Sequence, residues 1–220
     1  MEEYLSEKEQ VEKLRLWWRE NGPFVVGGLV LGVLALSGWN YWQSWKIERS
    51  QNAKVAYDKL VIAVDNADQD TVSAQLSELS GEYSSTPYLS QARLLAARMH
   101  VDGGDLDSAA AELDRVVREG SDPELVRIAR TRLARVLLAN GDTEGALAAL
   151  DLSSAGVFAP RYHELRGDVL VARGETTAAR EEYTTALAGA EQGIVNRQSV
   201  QRKLDALGGN ETAEAGEGDS

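Results

Sequence analysis

Residues that could carry covalent or metal chemistry are few in this chain, and none stands at a useful spacing. There is no cysteine, which removes thiol nucleophiles, disulfides and thiolate-held metals. The histidines are His100 and His163. His163 precedes Glu164, but a zinc-holding helix needs a second histidine one turn on, and it is absent. His100 falls at a position expected to be filled by packing. No serine sits in a Gly-x-Ser-x-Gly turn. Gly28 and Gly32 lie inside an apolar run, where a phosphate loop has no use. Their spacing suits close packing of one membrane helix on another, unless chance placed them there. The expectation is therefore no catalytic site, no cofactor and no metal. What remains is binding chemistry, carried by Arg98, Arg132, Arg135 and Arg161 with Asp168 among them. Planar guanidinium groups suit carboxylates. Several of them on an otherwise acidic domain would suit an acidic or extended polypeptide.

The element that fixes where those residues work is the apolar run. Residues 24–38 carry no charged side chain. Trp17 and Trp18 precede the run; Trp39, Tyr41, Trp42 and Trp45 follow it. Such rings favour the membrane–water interface, because the ring is apolar and its N–H or O–H wants a polar neighbour. Trp18 to Trp39 covers roughly 31 Å of helix, close to the ~30 Å hydrocarbon core of a bilayer. The reading is one membrane-spanning helix over 23–45. A buried core helix would not need the two aromatic belts. A cleaved signal, with Ala35-Leu36-Ser37 as its site, would begin with a short basic segment. Here residues 1–22 hold six acids and four bases.

The net charge of −12 is uneven: −2 over 1–22, −6 over 46–208 and −4 over the last twelve residues. No stretch is basic enough to grip a nucleic-acid backbone. Orientation is left open by charge. Lys8, Lys13, Arg15 and Arg19 precede the span, and Lys46, Arg49, Lys54 and Lys59 follow it, a near tie under the positive-inside rule. Before the span, Ser6 and Glu9 form a capping-box pair. Val11, Leu14 and Trp18 share one helical face, so residues 6–21 read as a short amphipathic helix, or as a frayed juxtamembrane segment. Asn21-Gly22-Pro23 is expected to break it.

Beyond the span the chain repeats. Gly104, Gly141 and Gly174 each open a short polar stretch followed by an Ala-rich helix, and they lie 37 and 33 residues apart. That brackets the tetratricopeptide period of about 34. Seven residues before each glycine sits a small residue: Ala97, Ala134, Gly167. Five after sits Ala109, Ala146 or Ala179; nine after sits Leu113, Leu150 or Tyr183. Arg166 stands where the motif favours leucine. Helices are expected near 71–80, 87–102, 105–119, 123–139, 143–150, 160–173, 175–189 and 195–207, with Pro87, Pro123 and Pro160 at first turns. The fold class is all-α: one N-terminal transmembrane helix, then a tetratricopeptide-like α-solenoid over 46–208, then a disordered acidic tail over 209–220. In such a solenoid the first helix of each hairpin lines the concave face. Arg98, Arg135 and Asp168, each six residues before its glycine, fall there, with Arg132 and Arg161 near. The alternative is that they only pair with neighbouring acids.

The residues Glu9-Gln10-Val11-Glu12, Trp17-Trp18, Glu20-Asn21-Gly22 and Gly38-Trp39-Asn40-Tyr41-Trp42 resemble the YfgM family of bacterial envelope proteins. Ala56-Tyr57, Arg132 to Val136 and Leu165-Arg166-Gly167 extend the similarity to about Leu207. The resemblance implies an ancillary subunit of the Sec translocon. It implies a single-pass inner-membrane protein with a cytoplasmic N-terminus and a periplasmic tetratricopeptide-like domain. The partners it implies are the translocon, a membrane-anchored periplasmic chaperone of the prolyl-isomerase type, unfolded envelope clients and membrane lipid, with no nucleic acid. A second role it implies is restraint of an envelope-stress phosphorelay through residues 1–22. The acidic tail has no counterpart in the resemblance.

Overall fold

The computed structural model describes the backbone of residues 7–217 and the side chains of 9–208, Gln192 excepted; Ser6 of the expected capping box lies outside these residues. They are helical, with no strand among them. The chain forms two units, residues 1–52 and 53–220.

The first helix, α1, runs from Glu7 to Asp65 without interruption, with Pro23 inside it. The break expected at Asn21-Gly22-Pro23 is absent. Pro23 lacks the N–H that would bond the Arg19 carbonyl, yet its neighbours favour the helix. Asn21 Nδ2 donates to the Trp17 carbonyl at 3.1 Å. The Trp18 indole lies over Gly22, where a Cβ would come within 3.3 Å of the ring. Gly22 thus makes room for an aromatic ring one turn back and does not end the helix. The core-helix alternative fails on exposure, since Phe24 is 81%, Leu29 70% and Leu36 72% exposed. Among the described residues, α1 is the one helix long and apolar enough to cross a membrane.

In the second unit, the end of α1 packs Ala53, Ala56, Leu60 and Ala63 into a core with Val72 and Leu79 of α2 (Gln69–Glu82) and Leu89, Ala92 and Ala96 of α3 (Pro87–Asp102). Three hairpins follow: α3 with α4 (Leu106–Glu119), α5 (Pro123–Ala139) with α6 (Thr143–Ala149), and α7 (Ala159–Ala172) with α8 (Thr176–Ala188). The last helix, α9, spans Arg197–Glu217. The expected tail boundary at Gly208 is therefore no helix end.

The repeat register sets the hairpins. Gly104, Gly141 and Gly174 take φ of +80°, +85° and +77°, left-handed values that cost a side chain about 1–2 kcal/mol. After each, an N–H reaches back to close the helix end: Asp105 to His100, Asp142 to Leu137 and Glu175 to Leu170, at 2.8, 2.9 and 2.9 Å. This is a Schellman turn made three times. Asp105 and Asp142 then cap the next helix through Ser108 N and Gly145 N. Ala109, Ala146 and Ala179 are fully buried, and Leu113, Leu150 and Tyr183 almost fully.

The second hairpin departs from the pattern. Its α6 has only seven residues, and two 3-10 turns, Leu152–Ser154 and Gly156–Phe158, complete the return. The carbonyls this exposes are met from α5: Arg130 Nη1 donates to Ala149 O at 3.2 Å and Arg127 Nε to Ser154 O at 3.1 Å.

Candidate functional site

The five residues expected on one face separate into two sites. Arg98, Arg132 and Arg135 line one groove together with Leu94, Ala97, Val101, Leu113 and Val136, around a space of about 340 Å³. Its walls come from α3, α4 and α5. The floor is apolar because Leu94, Ala97, Leu113 and Val136 are the buried packing residues of the first two hairpins. All three arginines are exposed at the rim. Arg98 contacts Asp102 on its own helix at 3.5 Å, an open pair with side chains 73% and 66% exposed. Such a pair contributes little. Arg132 and Arg135 make no ion pair among the described residues.

Arg161 and Asp168 lie elsewhere, inside the contacts that hold α9 on the last hairpin. Lys203 Nζ sits 2.7 Å from Asp168 Oδ1 and 2.9 Å from Glu164 Oε1. Arg161 Nη1 is 2.6 Å from Glu164 Oε2, and its Nη2 donates to Ile194 O at 3.0 Å. The Tyr183 hydroxyl donates to Asp168 Oδ1 at 2.8 Å. Burial, then the Asp168 charge, pushes that hydroxyl far above the usual tyrosine range. For these two residues the pairing alternative describes what the structure contains.

Sequence reasoning missed two further ion groups. Buried Arg93 pairs with Glu119 and approaches Glu112 at 3.9 Å, holding the Glu119 carboxyl below the usual carboxylate range. Glu182 accepts from Arg166 Nε at 2.8 Å and lies 2.6 Å from His163 Nδ1. That accounts for the arginine at a position where the repeat favours leucine. The only sequence signal was charge at a packing position. Among the described residues no group of His, Asp and Glu could hold a metal.

On α1 the aromatic residues cluster by turn. The rings of Trp17 and Trp18 are 6.5 Å apart, and those of Trp39 and Trp42 5.4 Å. Lys46 Nζ lies 4.7 Å from the Trp42 ring and Arg49 5.1 Å from the Trp45 ring, each a cation–π pair one turn on. Tyr41 is 77% exposed. A Cβ added at Gly28 or Gly32 would meet nothing within 4 Å, so that small-residue face is open.

The model for a tetratricopeptide repeat-like domain matches residues 15–209. A protein of Neisseria gonorrhoeae, named ancillary SecYEG translocon subunit, is 31% identical over 208 residues, 94% of this chain and 100% of that protein. The chain belongs to the YfgM family. Two other YfgM relatives carry the same name and match over shorter stretches. The Escherichia coli K12 protein is 39% identical over 74 residues, 34% of this chain and 36% of its own. The Haemophilus influenzae Rd protein is 31% identical over 94 residues, 43% and 46%. The chain thus aligns with less than half the length of these two. The architecture of this YfgM chain is a single N-terminal transmembrane helix followed by a tetratricopeptide-like solenoid.

Proposed function

We propose that the chain is a non-catalytic scaffold anchored in the inner membrane beside the Sec translocon. Residues 1–22 face the cytoplasm and the solenoid faces the periplasm. There it holds a membrane-anchored chaperone of the prolyl-isomerase type and unfolded envelope clients. One observation carries the reading: a helix with an exposed apolar stretch bounded by aromatic clusters runs unbroken into a repeat solenoid that keeps an open groove. The name borne by the relatives supplies the translocon as the place of work. An uncleaved anchor tethers the solenoid to the membrane, and a binding role there needs no reacting group.

Purification of the full chain from detergent-solubilised membranes tests this. SecYEG should copurify, and should be lost when residues 23–45 are replaced by an unrelated apolar helix. A reporter fused after Leu207 should act only if it works outside the cytoplasm. Absence of SecYEG from the unmutated chain, or mature protein beginning near Gly38, would end the reading. A second reading, restraint of a cytoplasmic stress-response factor by residues 1–22, draws on the uncovered stripe of Val11, Leu14 and Trp18, each over half exposed. It predicts that substitutions at Val11 and Leu14 abolish that restraint while the solenoid is dispensable.

A further inference from the structure

We propose that the groove between α3, α4 and α5 is a carboxylate-binding site for acidic polypeptide segments: among the described residues Arg132 and Arg135 have no carboxylate partner, and Arg98 has only the exposed Asp102 at 3.5 Å. This rests on the scaffold reading and names what the groove holds.

The argument comes from comparing the first hairpin with the third, position by position. Counted from the repeat glycines, Leu94, Ala97, Arg98, Val101 and Leu113 of the first correspond to Glu164, Gly167, Asp168, Val171 and Tyr183 of the third. In the third hairpin the site is filled. The Tyr183 ring lies so close to Gly167 that a Cβ there would come within 2.4 Å of it. The next helix, α9, brings Lys203 between Glu164 and Asp168, with Nζ 2.7–2.9 Å from three of their oxygens. Opposite charges close the seam.

In the first hairpin the same place is open. Leu113 is smaller than a tyrosine and reaches no polar partner. The next helix, α5, brings Arg132 and Arg135, so cations face the cation at Arg98. Like charges repel, and an anion set among three guanidinium groups would do for this seam what Lys203 does for the last. The chain therefore contains its own example of the contact, with the signs reversed.

The occupant is a polypeptide because the floor is apolar. Leu94, Val101, Leu113 and Val136 offer a surface that a free carboxylate or phosphate would leave wet, while an aliphatic or aromatic side chain next to an acidic one would cover it. Nucleic acid, another polyanion, is opposed by a chain of net charge −12. The ligand class is a segment with Asp or Glu flanking Leu or Phe.

The test uses the full chain in detergent and an array of short fluorescent peptides. Each peptide carries acids around one Leu or Phe and is paired with the same sequence in which every acid is its amide. Anisotropy should find acidic peptides that bind, with the amide partners about tenfold weaker or more, and added salt should weaken the acidic ones. Arg132→Glu with Arg135→Glu should lose the acidic peptides and bind Lys-for-Glu versions instead. Both side chains are exposed, so the melting temperature should not move; Arg132→Gln with Arg135→Gln serves should the reversal unfold the protein. An array in which no acidic peptide is told from its amide, or a reversed variant that binds acidic peptides as the native chain does, overturns the proposal. SecYEG copurification is measured in parallel. Its retention while carboxylate discrimination fails leaves the scaffold standing and removes the groove. Its absence from the native chain removes the scaffold and leaves the peptide result intact.

Discussion

Adding one methyl group at Gly167 probes the close contact that sets the third hairpin apart. A Cβ there would lie 2.4 Å from Cε1, 2.6 Å from Cδ1 and 3.0 Å from Cζ of Tyr183. Carbon atoms in good contact sit about 3.5–4.0 Å apart, so the overlap is about 1 Å. The ring has nowhere to go, being 3% exposed with its hydroxyl donating to Asp168 at 2.8 Å. Overpacking costs about 1–3 kcal/mol, and this overlap takes the upper end. Alanine is better than glycine inside a helix by roughly 1 kcal/mol. Gly167→Ala should therefore lose about 2 kcal/mol net, a fall of roughly 4–8 °C in melting temperature for a chain of this size. All five tryptophans lie between residues 17 and 45, outside the hairpins. Unfolding of the full chain in detergent is thus best followed by far-ultraviolet circular dichroism. Tyr183→Leu supplies the control, because alanine over leucine is the pairing at Ala97 with Leu113 and at Ala134 with Leu150. In that background Gly167→Ala should be neutral or stabilising by up to ~1 kcal/mol, a coupling of about 2–3 kcal/mol. The same loss in both backgrounds would refute the claim that the tyrosine ring is what excludes the methyl.

Three further outcomes follow from the same contacts. Gly141→Ala should cost about 1–2 kcal/mol in a urea titration through its φ of +85° alone, since a Cβ there meets nothing, and Gly141→Asn should cost less. Lys203→Met strands Glu164, 4% exposed, with Arg161 as its remaining cation, and leaves Asp168 with the Tyr183 hydroxyl; hydrogen exchange over 197–207 should quicken, by about 1–3 kcal/mol in opening free energy. Stability should also fall in acid. Hydrogen bonds from Arg93 to Glu119, Thr71 to Asp68, Ser108 to Asp105 and Ser153 to Asp151 hold these carboxyls below their usual range. Their contribution is complete above the unfolded carboxylate range near pH 4 and is lost as pH drops through the lower folded values. A melting temperature that rises on acidification below about pH 4 would contradict this.

Much of the fold was legible because glycine, alanine and proline report backbone needs directly. The three repeat glycines marked the left-handed turns, the alanines marked the helix crossings, and Pro87 and Pro123 stand in the first turns of α3 and α5. The same residue types misled at Asn21-Gly22-Pro23. There a ring stacked over the glycine and a side-chain amide bonded to the backbone favour a continuous helix. Of the site, the arginines at equivalent repeat positions were readable, since register alone puts them on one face. The fates of Arg161 and Asp168 were not. Their partners, Ile194 and Lys203, lie 33 and 35 residues away, one in the turn before α9 and one on α9, outside the repeat pattern. The short α6 was readable, expected over 143–150 and found at Thr143–Ala149; the 3-10 return after it was not, because it is secured by Arg127 and Arg130 from another helix.

The most direct test of a groove that holds polypeptides at the translocon is crosslinking in intact cells. A photoreactive amino acid at Val101, in the groove, is compared with one at Val157, 62% exposed and away from it. The account predicts crosslinks from Val101 to chaperone or translocating envelope polypeptides, lost when Arg132 and Arg135 become glutamate. Equal crosslinking from the two positions, or crosslinks at Val101 that survive the charge reversal, would contradict it.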